Sequence, residues 1–258
     1  MPSRLTHIVI DAADPAKLAR FWSAALDWPV TYEDDDEVDI APPASDASQQ
    51  GQVPLVFVPV SDPKTAKNRV HLDLASRSDE HQAALVTRLG ELGARRVKIG
   101  QGPDASWVVM ADPEGNELCV VNHAGSVGAD SSSVFGDLWP VAAVVVDSPD
   151  PQAIAPFWSE AVGWPILGSD GTHVWLRDET ASGPYLDIRH NPDPKTTKLR
   201  VHLDIAPHAD DDQAAELARL EALGAYPLDI GQHARGDRLT WHVLADPQGN
   251  ELCLLSPR

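Results

Sequence analysis

Positive charge is scarce in this chain of 258 residues: 20 lysines and arginines stand against 39 aspartates and glutamates, a formal charge of −19. A phosphate backbone is repelled by that balance unless basic residues cluster, and no cluster is visible, so no nucleic-acid partner is expected. Acidic runs such as Asp34–Glu37 and Asp210–Asp212 read most simply as solvated surface. Long apolar runs are missing as well. VAAVVV at Val141–Val146 is far too short to cross a bilayer, and MPSRLTHIVI lacks a charged segment leading into a long apolar one. The expectation is a soluble, cytoplasmic protein with no membrane partner. Cysteine is almost absent. Cys119 and Cys253 hold the same place in a repeated phrase, and equivalent positions of two similar domains do not normally meet at bonding distance, so both read as small buried hydrophobes of a reducing compartment. Also missing are a nucleophile elbow, a phosphate-cradling glycine loop and a dinucleotide fingerprint; GQG at Gly100–Gly102 has no βαβ context. Most common enzyme classes are thereby removed.

What the chain does contain is a repeat. DPEGNELCVV (Asp112–Val121) returns as DPQGNELCLL (Asp246–Leu255), IDAADPAKLARFWSAALDWPV (Ile10–Val30) as VDSPDPQAIAPFWSEAVGWPI (Val146–Ile166), and DPKTAKNRVHLDL (Asp62–Leu74) as DPKTTKLRVHLDI (Asp193–Ile205). One domain of about 120 residues is therefore written twice. The boundaries read as 1–124 and 138–258, with the Gly-, Ser- and Asp-rich segment 125–137 as linker.

Each copy divides again. THIVID is a strand; Asp14 and Pro15 then give an N-cap and a proline at the first helical position. Leu18, Phe21, Trp22, Ala25 and Leu26 share one face of that helix. Short strands follow near Val30, Val38 and Val56. The cycle restarts with RVHLDLA, a helix from about Asp79 to Leu92 ended by Gly93, and strands near Val97, Val108 and Leu118. Four βαβββ units result, an α+β fold with helices on one side of mostly antiparallel sheets.

DPEG is a type I turn explained by backbone chemistry: Asp112 first, Pro113 with its fixed φ second, Gly115 fourth. Glu117 is not so explained. Alternation in the strands sets His7, His71 and Glu117 opposite the aliphatic residues, so all three are expected on the inner side of one sheet. Two imidazoles and a carboxylate with open positions suit a divalent ion, whether Fe, Mn, Ni, Co or Zn. Asp73 and Asp204 lie on the histidine face as partners that would orient the rings.

The HIVID…DPAKLARFW opening, the KNRVHLDL strand and the DPEGNELCVV ending resemble the vicinal oxygen chelate superfamily, in its glyoxalase-like branch with relatives of bleomycin-resistance proteins and extradiol dioxygenases. The resemblance covers nearly the whole chain. It implies a tandem duplication of that domain, four βαβββ modules with curved mixed sheets around a cavity, helices outside, and metal ligands on first and last strands. Carried over, the positions are His7, His71 and Glu117 in the first copy; in the second, His202 and Glu251 remain but Ala143 stands where His7 would be. Asp187 lies where some members place a ligand, although a salt link to Arg189 or Arg200 explains it more simply.

Two functions stay open. One is a divalent-metal-dependent enzyme of lyase, isomerase or dioxygenase type acting on a small organic molecule at the first copy. The other is a metal-free protein that binds or sequesters a small molecule, Glu117 then hydrogen-bonding backbone or pairing with an arginine such as Arg69. The chain is expected as a monomer of two pseudo-symmetric domains or as a homodimer. Trp22, Trp28, Trp158 and Trp164 read as core, Trp107 and Trp241 as core or cavity wall, and Lys64, Lys67, Lys195 and Lys198 as solvated loop charges.

Overall fold

The computed structural model of the chain describes residues 1–49, 51–102, 105–122, 140–178, 183–230 and 240–258; the expected linker, 125–137, lies outside them. The first module comprises β1 (Arg4–Ala12), α1 (Pro15–Leu26), β2 (Val30–Glu33), β3 (Val38–Ile40) and β4 (Leu55–Pro59). The second comprises β5 (Val70–Ala75), α2 (Asp79–Glu91), β6 (Arg95–Arg96), β7 (Val108–Ala111) and β8 (Glu117–Val121). The third is β9 (Val141–Ser148), α3 (Pro151–Val162), β10 (Ile166–Ser169), β11 (His173–Leu176) and β12 (Tyr185–His190). The fourth is β13 (Val201–Ala206), α4 (Gln213–Ala222), β14 (Tyr226–Pro227), β15 (Trp241–Ala245) and β16 (Glu251–Leu255). The four βαβββ units of the sequence are all present.

Local chemistry starts the helices as expected. Asp14 accepts a hydrogen bond from Lys17 N and Asp150 one from Ala153 N, each just before a proline at the first helical position. After α2, Gly93 takes φ +113°, a left-handed conformation that favours glycine. No helix among the described residues is long and apolar enough to cross a membrane.

The modules pair across the repeat and not within it. The first sheet runs β14-β15-β16-β13-β1-β4-β3-β2 and the second β10-β11-β12-β9-β5-β8-β7-β6. The first module therefore shares a sheet with the fourth, and the second with the third. The seams are antiparallel, β1 with β13 (Ile8 opposite Leu203) and β5 with β9 (Leu72 opposite Val144). Each seam is flanked by parallel pairs, such as β1 with β4 and β13 with β16.

Residues directly paired across a ladder point to the same side, so each sheet has two distinct faces. Ile8, Ile10, Leu203, Leu252, Leu72, Leu118 and Val144 pack in one large core with Leu18, Trp22, Leu85, Trp158 and Leu220 of the helices. The opposite faces carry smaller clusters without helical residues: Ala206, Cys253 and Leu255 on the first sheet; Val109, Cys119, Ala143, Val145 and Tyr185 on the second. The residues of interest project from these helix-free faces.

Candidate cation centres on the helix-free faces

On the first sheet, β1 sets His7 directly opposite Asp204 of β13, and Val9 opposite His202. Asp204 in turn lies opposite Cys253 of β16, while β4 and β3 bring Asp39 level with Val56 and Val9. Alternation thus gathers His7, Asp11, Asp39, His202, Asp204, Glu251 and Cys253 on one face. Asp204 lies between two imidazoles, its Oδ2 3.7 Å from His7 Nδ1 and its Oδ1 3.5 Å from His202 Nε2. Cys253 Sγ is 3.5 Å from that same Nε2. Burial pushes the thiol well above its ordinary range, and the Asp204 charge adds to the effect.

Three carboxylate oxygens on this face, Asp11 Oδ1, Asp39 Oδ1 and Glu251 Oε2, are buried without a hydrogen-bond donor among the described residues, and Asp204 Oδ1 is buried against the His202 ring. Lys198 pairs with the other oxygen of Asp11, and Lys195 with the other oxygen of Glu251 at 2.7 Å. Burial also raises the Asp39 carboxyl, partly offset by His7. Buried anionic oxygens in such number are costly unless a cation answers them.

The second sheet carries the pseudo-symmetric set, filled differently. His71 Nε2 lies 3.3 Å from Asp73 Oδ1, and Cys119 is opposite Asp73. Across the seam Ala143 faces Asp73, as His7 faces Asp204. Asp187 and Arg189 of β12 occupy the places that Val56 and Val58 hold on β4, as the parallel registers with β9 and β1 require. The Arg189 guanidinium spans two carboxylates, Nε 2.7 Å from Asp187 Oδ2 and Nη2 2.9 Å from Asp73 Oδ2. Burial opposes ionisation of Asp73, yet the Arg189 charge and the His71 hydrogen bond outweigh it and hold the carboxyl below its usual value. The same two carboxylates raise Arg189 against the effect of its own burial.

The structure thus brings His7 together with His202, and places His71 and Glu117 on the other sheet, because the antiparallel seams join modules of different copies. The expectation that His7, His71 and Glu117 share one sheet is corrected accordingly. Glu117 is held by Lys64 at 3.0 Å and by the backbone N–H of Asn68 at 3.0 Å, whereas the cation expected was Arg69. Arg69 instead donates to Asn250 and to the carbonyls of Asp147 and Asp193. Asp187 forms the expected salt link with Arg189. The lysines are not solvated loop charges: Lys64 and Lys195 bind the two repeated glutamates, and Lys67 and Lys198 bind Asp147 and Asp11 across the copies. Trp107 is exposed, against the expectation of core or cavity wall, while Trp241 packs against the Cys253 cluster. Asp39 was missed; its signal was alternation on β3 read against the seam. The contact of Arg189 with Asp73 was missed too, because it crosses from one copy to the other.

The two loops 62–69 and 193–200 line a cleft of about 590 Å³, bordered also by Asp11 and Asp147. That size suits a small organic molecule. The cleft adjoins the first centre through Asp11 and through Lys195, the partner of Glu251.

A profile of the glyoxalase-like domain matches residues 7–121 and again 143–255. No curated protein sequence matches significantly. Among solved structures, a candidate dioxygenase from Bacillus subtilis subsp. subtilis str. 168 superposes with a TM-score of 0.64 at 16% identity, over 98% of this chain and 84% of that one. Glyoxalase I from Zea mays superposes at 0.62 and 13% identity, over 98% and 92%. At these identities the likeness is one of fold.

Proposed function

The chain belongs to the glyoxalase-like domain family of the vicinal oxygen chelate superfamily, and on that premise we propose that it is a divalent-metal-dependent enzyme for a small organic substrate, with one centre on the helix-free face of the first sheet. The observation that carries this reading is the set of buried carboxylate oxygens without donors beside His7 and His202. The residues that would hold the ion are His7, His202 and Asp204, with Glu251 offering its free Oε2 on the same face and Cys253 bordering them. Imidazole nitrogen and carboxylate oxygen together fit a borderline divalent ion such as Fe, Mn, Ni, Co or Zn. When bound, that ion supplies Lewis acidity toward adjacent oxygens of a substrate.

The protein supplies the rest. Asp204 sits between the two imidazoles, Lys195 holds one oxygen of Glu251 and leaves the other without a donor among the described residues, and the adjoining cleft would receive the organic part of the substrate. His71 and Glu117 serve a structural role in this reading, since Asp73 is engaged by Arg189, and Glu117 by Lys64 and Asn68.

Metal analysis of protein purified without a histidine tag tests the reading. One equivalent is expected in the wild type, lost in His202→Ala and His7→Ala and retained in His71→Ala. At about hundred-fold saturation the ion stabilises the fold by ~2.7 kcal/mol, a rise of roughly 5–10 °C in melting temperature. No bound metal and no thermal shift with any of the five ions would refute the enzyme. The cleft volume then favours the second reading, a metal-free small-molecule binder.

A further inference from the structure

The two helix-free faces are related by the sequence repeat, and their differences concentrate at four positions. His7, Asp39, Val56 and Val58 on the first face become Ala143, Trp175, Asp187 and Arg189 on the second, as the matching registers show. Histidine, aspartate and cysteine persist on both: His202, Asp204 and Cys253 on one, His71, Asp73 and Cys119 on the other, each set with its ligand atoms within 4.8 Å of one another.

We infer that Arg189 is the resident cation of the second face: its guanidinium stands where a divalent ion would otherwise be held by His71, Asp73 and Asp187, so the chain carries one exchangeable cation and not two. Three features converge on this. Asp73 and Asp187 are 1% and 0% exposed, and each uses one oxygen on Arg189 while the other faces an imidazole, Asp73 Oδ1 3.3 Å from His71 Nε2 and Asp187 Oδ1 3.5 Å from His173 Nδ1. His71 Nδ1 is buried without a hydrogen-bond partner among the described residues, so two buried carboxylates and two imidazoles gather around one guanidinium. Where arginine is replaced by Val58 the aspartate two residues before it is replaced too, by Val56, so the extra carboxylate and the fixed cation occur together. A guanidinium cannot lose its charge or leave, and it offers no open position to a substrate. The second face is therefore closed to metal chemistry by a side chain that answers the same buried charge.

This inference rests on the proposed cation centre of the first face, and the test separates the two. Arg189→Met is incubated with Mn or Zn, freed of excess metal by gel filtration and assayed for metal per chain. One equivalent more than the wild type is expected, and His71→Ala in the same background should remove it. A folded Arg189→Met that gains no metal overturns the inference. If that variant does not fold, Arg189→Gln takes its place, keeping a hydrogen-bonding side chain beside Asp73 and Asp187 without the fixed charge. It too must gain metal through His71, Asp73 and Asp187; no gain, or no soluble protein with or without metal during refolding, counts against the inference. Wild type without metal but Arg189→Met with one equivalent would refute the first centre and leave the second intact. One equivalent in both would do the reverse.

Discussion

Asp73 and Asp39 show at residue scale what a fixed cation does to a buried carboxyl. Both belong to helix-free faces; burial raises Asp39, whereas Arg189 and His71 overcome burial and lower Asp73. The consequence for stability has a definite sign. A carboxyl whose folded value lies below its ordinary 3.8 contributes stability that is fully present above that pH and is lost as pH falls through the lowered folded value. Arg189→Met leaves Asp73 and Asp187 buried without their cation. At pH 7 this costs about 3 kcal/mol, the lower end for breaking a buried pair, since the arginine is itself 22% exposed. Below about pH 4 the difference should shrink, because Asp73 in the variant is protonated and its charge no longer needs an answer. Urea unfolding of both proteins at pH 7 and at pH 3.5 checks this; an equal gap at the two pH values would mean that Arg189 acts through packing alone.

At the scale of elements, the repeated DPxGN phrase joins parts that lie far apart in sequence. Asp112 Oδ1 accepts from Glu114 N and Asn116 N, while Oδ2 accepts from Asn116 Nδ2 and from Trp22 Nε1 at 3.3 Å. Asp246 repeats the pattern with Gln248, Asn250 and Trp158. The turn at the β7–β8 hairpin thereby anchors α1 of the preceding module. Asp112→Ala strands several buried donors and should cost about 3–5 kcal/mol by chemical denaturation, against roughly half that for Asp112→Asn, which keeps one acceptor. Equal costs would argue that only the turn conformation matters. The turn, the N-caps and the amphipathic stripe of α1 were legible in the sequence because each depends on neighbours a few residues away. The Trp22 contact was not, because turn propensity already accounts for an aspartate at that position; its one trace was that FW and DPxGN recur together in both copies. The grouping of His7 was hidden for a related reason. VHLDLA and VHLDIA are nearly the same strand, so local pattern has no means of telling which of them β1 will join.

That near-identity has a consequence for the whole molecule. In the intact chain β1 pairs with β13 and β5 with β9, so each copy supplies half of both sheets. Taken alone, residues 1–124 would leave the edges of β1 and β5 unpaired, two strands rich in buried apolar side chains, and such edges seek partners. β5 presents to β1 almost the residues that β13 does, and two copies of 1–124 can satisfy both edges by pairing β1 of each with β5 of the other about a two-fold axis. We therefore expect this fragment to be dimeric by light scattering and to lose its fold on dilution, whereas the intact chain keeps its sheets at any concentration. The dimer would also be symmetric in its chemistry: each face would hold His7 from one copy with His71, Asp73, Cys119 and Glu117 from the other, opposite Val56 and Val58, with no counterpart of Arg189. Two metal equivalents per dimer should follow, where the intact chain takes one. A monomeric, stable fragment would contradict the module pairing. A dimer without metal would leave the pairing standing and locate the failure in the donor set, because the symmetric faces carry both imidazoles that the duplicated chain retains only on its first sheet.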